Sequence, residues 1–542
     1  MRLAAVFGLT TVIYVAQAAP ESSWEGWGGS IYNNRWASTN HAISSSNIKS
    51  LTEHCKITYV NGTSATPTIS QGIAYYPTWN GSFVALDYKD CNVKWQINVT
   101  AVIEDYAPIS AEQRAILRAV SRTSPQIDGD VLYFGSQTHS LMVAVDLLTG
   151  KTLGVTQINP HPMAIVTLSP TFYKGLIFAG ASSSEETAAA FIPGYNCCSF
   201  VGNVVALRFD HTGNFATVWN LTTLPPGSGE GNGTWSGAAV WGSQPSIDTS
   251  RHQVFFATGN VYSAPEEFLK CDAVNENAMS GNASCVLPPD VWQESVLALD
   301  IYSGQPKWVR QLSPLDAWTV ACGVPGFYPG DQALCPPHPG PDADFGMAPA
   351  FVSGSRGALT PSDDDVVTLG QKNGNLYALA ADNGSVMWST VTSPGGFAGG
   401  LSWGVGVDNQ RVYFTAINSL NRPWRLQPAN TTSITNSGFG AASLTNGSLL
   451  WEIGAPQNNS AYVPPTVVGD VVISGRSGPA KLTALGAGGL LVMEKETGNI
   501  LVDFALDTTF RGGIAVQDQY IMFGTGYNGA PSGSFYVLAV GT

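Results

Sequence analysis

LALDIYSGQPKW, residues 297–308, decides the fold, because the chain keeps returning to it. Variants stand as VALDYKDCNVKW (84–95), VAVDLLTGKTL (143–153), VALRFDHTGNFATVW (205–219), YALAADNGSVMW (377–388), AASLTNGSLLW (441–451) and VMEKETGNIL (492–501). A lone strand, FYVLAV (535–540), ends the series. In each unit an apolar strand enters a turn carrying Gly, which accepts the positive φ of a tight hairpin. A second strand follows, often ending in Trp, a residue large enough to pack one unit against the next. Upstream of most units lies another apolar strand, such as VLYFGSQTH, QVFFATGN or VVTLGQKNG. Each unit thus reads as a small antiparallel sheet of about four strands, which cannot bury both faces alone and is stabilised in a closed ring.

Seven complete units and the terminal strand predict an all-β, eight-bladed β-propeller. The last blade is expected near residues 515–541, with WEGWGGSIYNNRWAS (24–38) closing the ring. Composition agrees: 59 glycines, 33 prolines and only 12% charged residues suit short strands and turns better than helical domains. The longest loops, 222–240, 262–295 and 309–348, are where a rigid scaffold carries its function. No second domain or linker is evident, so residues 19–542 are expected to form one propeller domain.

Met1–Ala18 has the form of an export signal: Arg2, an apolar run, and Ala16-Gln17-Ala18 as cleavage site. Ten N-x-[ST] sequons (Asn61, Asn80, Asn98, Asn220, Asn232, Asn282, Asn383, Asn430, Asn446, Asn458) fit a secreted protein carrying N-linked glycans. An even number of cysteines, eight, favours disulfides in that setting. The expected pairs are Cys55–Cys91, Cys271–Cys285, Cys322–Cys335 and a vicinal Cys197–Cys198, although sequence alone does not determine connectivity. A net charge of −14 argues against nucleic acid or an anionic membrane surface as partner, since both attract a basic face.

The repeat, the opening W-x-x-W-G-G-x-x-x-N-x-R and an ordered set of blade-specific motifs resemble the quinoprotein alcohol dehydrogenases that bind pyrroloquinoline quinone (PQQ). The resemblance is to their polyvinyl alcohol dehydrogenase-like branch, and it covers the whole mature chain. Its motifs are SRTSP (121–125), CCSFVGNVVAL (197–207), WSGAAVWGSQPSID (235–248), ATGN (257–260), DAWTVAC (316–322), DADFG (342–346), GQKNG (370–374) and PGGFAGGLSWG (394–404).

This resemblance implies a PQQ- and Ca²⁺-dependent oxidoreductase acting on a small-molecule or polymeric alcohol and passing electrons to an external acceptor. Residue by residue, it implies Arg122 for a PQQ carboxylate, Thr167 as a cofactor hydrogen-bond donor, and Trp241 as the ring on which the quinone stacks. Trp403 is a further cofactor contact. Glu185 matches the metal-ligating glutamate, with Glu186 an adjacent competitor, and Asn260 the amide ligand; carboxylate and amide oxygens suit a hard cation. Asp342 or Asp344 is the base, Asp344 also being a candidate metal ligand. Lys372 is the cation beside the quinone oxygens.

The chain departs from the pattern in two places. Its adjacent cysteines stand one blade later than in many quinoprotein dehydrogenases, and Ala239 replaces the threonine two residues before the stacking tryptophan. No C-x-x-C-H is present for covalent haem. Two other readings stay open: a quinone-free propeller enzyme of fungal specialised metabolism, and a non-catalytic ligand-binding propeller.

Overall fold

The computed structural model describes residues 24–231, 233–270, 286–325, 327–331, 333–479 and 486–541. The export signal, the sequons at Asn232 and Asn282 and the Cys271–Cys285 pair lie outside them.

Among the described residues the strands form eight blades built on one antiparallel four-stranded plan, with three further two-stranded ladders beside them. We number the blades along the chain by their inner strands, which begin at Thr68, Gln126, Thr171, Ser246, Ala350, Gly406, Thr466 and Ile514. Blade 1, for example, runs through Thr68–Ser70, Ile73–Pro77, Ser82–Asp87 and Asn92–Asn98, each strand paired to the next. The repeat seen in the sequence is the outer hairpin. Its turn is capped from within: Asp146 Oδ1 accepts from Thr149 N (2.8 Å) and Oγ1 (2.6 Å), and Asp300 repeats this with Ser303.

In blades 1, 3, 4, 5 and 6 a tryptophan of the outer strand reaches the next blade. Trp95, Trp219, Trp308, Trp388 and Trp451 donate Nε1–H to the carbonyls of Leu147, Ile301, Ala381, Leu444 and Lys495, at 2.9–3.1 Å. The turn glycine there has a positive φ, and its missing Cβ makes room for the ring. A Cβ on Gly150, Gly304, Gly384, Gly447 or Gly498 would lie 2.5–2.8 Å from the tryptophan. Between blades the core is aromatic and aliphatic, as where Phe83 stacks on Phe134 and Phe255 on Phe351.

The ring is closed differently from the sequence expectation. Thr52–Tyr59 forms the outer strand of blade 8 by pairing antiparallel with Gly533–Ala539. Residues 24–38 instead cross the hub. Trp24 bridges to Ile69 of blade 1, and Trp36–Ala37 runs parallel to Val467–Val468 of blade 7. The fully buried Arg35 lies between Trp24 and Trp27 and donates to the Pro465 and Ile514 carbonyls. Disulfides join Cys55–Cys91, Cys197–Cys198 and Cys322–Cys335.

Candidate functional site

The segments entering the inner strands deliver side chains to one cavity of 340 Å³. Ser64, Arg122, Thr167 and Tyr462 each stand four residues before the strands that begin at Thr68, Gln126, Thr171 and Thr466. Trp241, Asp344, Trp403 and Arg511 stand three to six residues before those beginning at Ser246, Ala350, Gly406 and Ile514. A second set follows the second strands: Glu186 after Leu176–Ser183, Asn260 after Gln253–Ala257, Lys372 after Val366–Gly370. The two strands are antiparallel neighbours, so the start of one and the end of the other meet at the same end of the blade.

Asp344 is the most connected group. Its Oδ1 accepts from Asn260 N (2.5 Å), and its Oδ2 from Trp241 Nε1 (3.0 Å) and Lys372 Nζ (3.0 Å). Lys372 also donates to Asp342 Oδ1 (2.7 Å), and its ammonium sits 5.2 Å from the centre of the Trp241 ring. Burial disfavours the lysine's charge, yet Asp342, Asp344 and Glu186 together raise its pKa above the ordinary value. Burial pushes the Asp342 carboxyl well up, with Lys372 opposing. It also lifts Glu186 to about 7; Lys372 opposes that rise and Asp344 adds to it. Asn260 spends both amide protons on the Val261 and Trp318 carbonyls (3.0 and 2.8 Å), leaving its oxygen as the group it offers. Three carboxylates and an amide around a single lysine form a donor set suited to a hard cation.

The rest of the wall is cationic and aromatic. Arg122 donates to Tyr527 Oη (3.2 Å) and lies 5.4 Å over Trp403. Arg511 lies 4.6 Å over Tyr462. Trp403 meets Trp241 edge to face at 5.4 Å. Among the described residues three buried polar atoms here have no hydrogen-bond partner: Thr167 Oγ1, Trp403 Nε1 and Arg511 Nε. Unpaired groups of this kind cost stability unless a ligand completes them. Two of the cavity's lining residues, Ser243 and Trp403, are held at φ of 50° and 74°.

The structure thus brings Arg122, Thr167, Trp241, Asn260, Asp344, Lys372 and Trp403 to one cavity. It does not bring Glu185. That carboxylate is fully buried behind the wall, accepting from Ser199 N and Phe200 N (both 2.8 Å) and Tyr195 Oη (3.1 Å). Burial opposes its charge, but hydrogen bonds from His161, Phe200 and Ser199 hold its pKa below the usual value. It anchors the segment carrying Cys197–Cys198, while Glu186 faces the cavity. Nearby, His161 Nε2 lies 3.1 Å from Ser199 Oγ. Met163 N donates to Nδ1 of the same ring, so Nε2 carries the proton and cannot take one from the serine.

Sequence reasoning passed over Arg511, Tyr462 and Tyr527. Arg511 had a signal, since it precedes its inner strand much as Arg122 does. It also passed over Asp316, buried behind the DADFG loop, whose carboxylate accepts from Asp342 N (3.2 Å) and Ala343 N (2.7 Å). Burial and the adjacent Asp316 push the neighbouring Glu294 carboxyl well up.

A family model described as outer membrane protein assembly factor BamB (PQQ_2) matches residues 39–192 and 292–512, more than half of the chain. A polyvinylalcohol dehydrogenase of Pseudomonas sp. is 25% identical over 457 residues, 82% of this chain and 62% of that protein. A polyvinylalcohol dehydrogenase of Sphingopyxis sp. (strain 113P3) is 27% identical over 407 residues, 72% of this chain and 54% of that protein. The chain therefore spans less than two thirds of the length of these curated relatives. Among solved structures, a europium-containing methanol dehydrogenase superposes with a TM-score of 0.66 at 15% identity, over 96% of this chain and 98% of that one, which shows a shared fold.

Proposed function

The chain belongs to the PQQ_2 family, and on that footing we propose that it is a secreted quinoprotein oxidoreductase, oxidising alcohol groups with PQQ and Ca²⁺ and handing electrons to an external acceptor. In this reading residues 1–18 are the export signal and 19–542 one propeller domain. The observation that carries it is the convergence of Glu186, Asn260, Asp344 and Lys372 at Trp241, in a cavity whose wall keeps unpaired donors.

The residues present fit the cofactor. Arg122, Arg511, Thr167 and Trp403 Nε1 would hold the carboxylates and ring oxygens of a flat tricarboxylate, with Trp241 as its aromatic floor. Glu186, the Asn260 oxygen and Asp344 would hold Ca²⁺. When bound, PQQ supplies an ortho-quinone that accepts hydride from the carbinol carbon. Asp344 would take the hydroxyl proton, so that the alcohol would leave as a carbonyl compound after losing two electrons and two protons in all. The Lys372 ammonium, 3.0 Å from Asp344, offers positive charge where oxyanion character develops. Asp316 holds the Asp342–Asp344 backbone in register for this.

Titrating PQQ into the glycosylated protein with and without Ca²⁺, read by tryptophan fluorescence, tests the proposal. Binding is expected to need Ca²⁺ and to weaken at least about 10-fold in Glu186→Ala. Glu185→Ala is expected to lower thermal stability and loosen the 195–200 segment. A folded sample that binds no PQQ, or calcium dependence that follows Glu185 rather than Glu186, would overturn the assignment.

A further inference from the structure

A second cavity, of 380 Å³, lies against the first and shares Lys372 and Phe397 with it. The two aspartates divide between them: Asp344 lines the first and Asp342 the second, with the Lys372 ammonium bonded to both. The second cavity changes character from floor to rim. Asp342, Lys372 and Trp318 are buried, whereas Pro325, Pro341 and Arg422 are exposed. Between them Trp318, Phe397 and Leu420 give apolar walls.

Arg422 is fixed by its backbone, not by its side chain. Its N–H donates to Asn418 Oδ1 (3.0 Å) and its carbonyl accepts from Asn418 Nδ2 (2.9 Å). Among the described residues its guanidinium has no hydrogen-bond or ion-pair partner, on a chain whose net charge is −14. Phe397 is placed with equal definition. The loop around it descends onto the lysine's own backbone, Gly396 and Gly400 both donating to the Lys372 carbonyl (3.1 and 2.7 Å). A Cβ on Gly395 would lie 2.8 Å from Asn373 Cα, so only glycine allows that approach.

Resting on the quinoprotein reading above, we propose that this cavity is the substrate pocket and that it takes an amphiphilic alcohol with an anionic far end. The carbinol lies at the junction where both cavities meet Lys372. The hydrocarbon body lies along Trp318, Phe397 and Leu420. A carboxylate at the rim pairs with Arg422, whose planar fork matches it. A neutral alcohol leaves that guanidinium unused, and a sugar would set hydroxyls against apolar walls.

Binding to the cofactor-free glycosylated protein, measured by calorimetry with ω-hydroxyhexanoate and n-hexanol as probes, tests the pocket apart from any turnover. The hydroxyacid is expected to bind about 10-fold more tightly than hexanol. That preference should vanish in Arg422→Gln, an exposed site where folding is not at risk, and both probes should lose affinity in Leu420→Trp, which fills the pocket. Equal affinities in the unaltered protein, no saturable binding of the hydroxyacid, or a preference that survives Arg422→Gln would overturn the proposal. Selective binding in a protein that takes up no PQQ would leave this pocket standing and remove the quinoprotein reading. PQQ uptake without selectivity would do the reverse.

Discussion

Gly384 closes a turn of blade 5 and at the same time makes room for Trp308 of blade 4. Its φ is +69°, and a Cβ there would sit 2.5 Å from the ring. Gly384→Ala therefore combines backbone strain with a clash across a blade interface, and is expected to cost about 2–4 kcal/mol. Gly129 is its control: φ is +57°, with nothing within 4 Å of an added Cβ. Gly129→Ala should cost only the backbone term, about 1 kcal/mol, and paired thermal melts would show the gap. This dual role was half legible in the sequence. The turn demanded glycine, whereas the tryptophan it accommodates comes from the preceding repeat. Glu185 and Glu186 mark a sharper limit. They open the helix Glu185–Phe191, where neighbours point about 100° apart, so a shift of one residue exchanges cavity for core. The choice is made by Tyr195, Ser199 and Phe200, whose nearness to that helix is a tertiary fact.

At the scale of strands, alternation and turn chemistry made the outer hairpins plain, because each is a local contact. The closing strand, Thr52–Tyr59, was harder. Written TEHCKITY, it lies mostly exposed on the edge of its blade and offers little apolar patterning. The tryptophan-rich 24–38 is the more apolar segment, yet it packs in the hub. The cavity residues were legible one motif at a time; their common offset from the inner strands was not used, and it would have yielded Arg511 and Tyr462. An outer strand of blade 6, Leu449–Gly454, carries the buried Glu452, whose Oε2 accepts from Gln427 N (2.6 Å) while Oε1 has no partner among the described residues. Burial pushes this carboxyl up to about 8, with the Gln427 bond opposing. A raised carboxyl pKa contributes stability that is full below the unfolded value, about 4.3, and is lost as pH rises through the folded value. Glu452→Gln keeps an acceptor for Gln427, so it should raise the melting temperature at pH 8 by a few degrees and change little at pH 4. An equal gain at both would show that the carboxyl's charge is not the cause.

The whole molecule is a ring in which an early strand and a late strand share one blade. Gly533–Ala539 pairs with Thr52–Tyr59 on one side and Tyr520–Gly524 on the other. Ending the chain at Gly524 should abolish cooperative unfolding, where loss of one outer strand alone would only lower the midpoint. Of the eight described sequons, Asn80, Asn98, Asn220, Asn383, Asn430, Asn446 and Asn458 are exposed, and Asn61 is half-buried. Among the described residues no helix is long and apolar enough to cross a membrane.

The shared blade also sets an order of events during synthesis. Thr52–Tyr59 leaves the ribosome roughly 480 residues before the strand it pairs with, a wait of about 25–100 s at ordinary translation rates. Cys55 lies in that early strand, and its partner Cys91 lies in the outer hairpin of blade 1, which is complete soon afterwards. Once that bond forms, the strand is tethered beside the blade it must adjoin, and Gly533–Ala539, translated much later, meets a docking edge already in position.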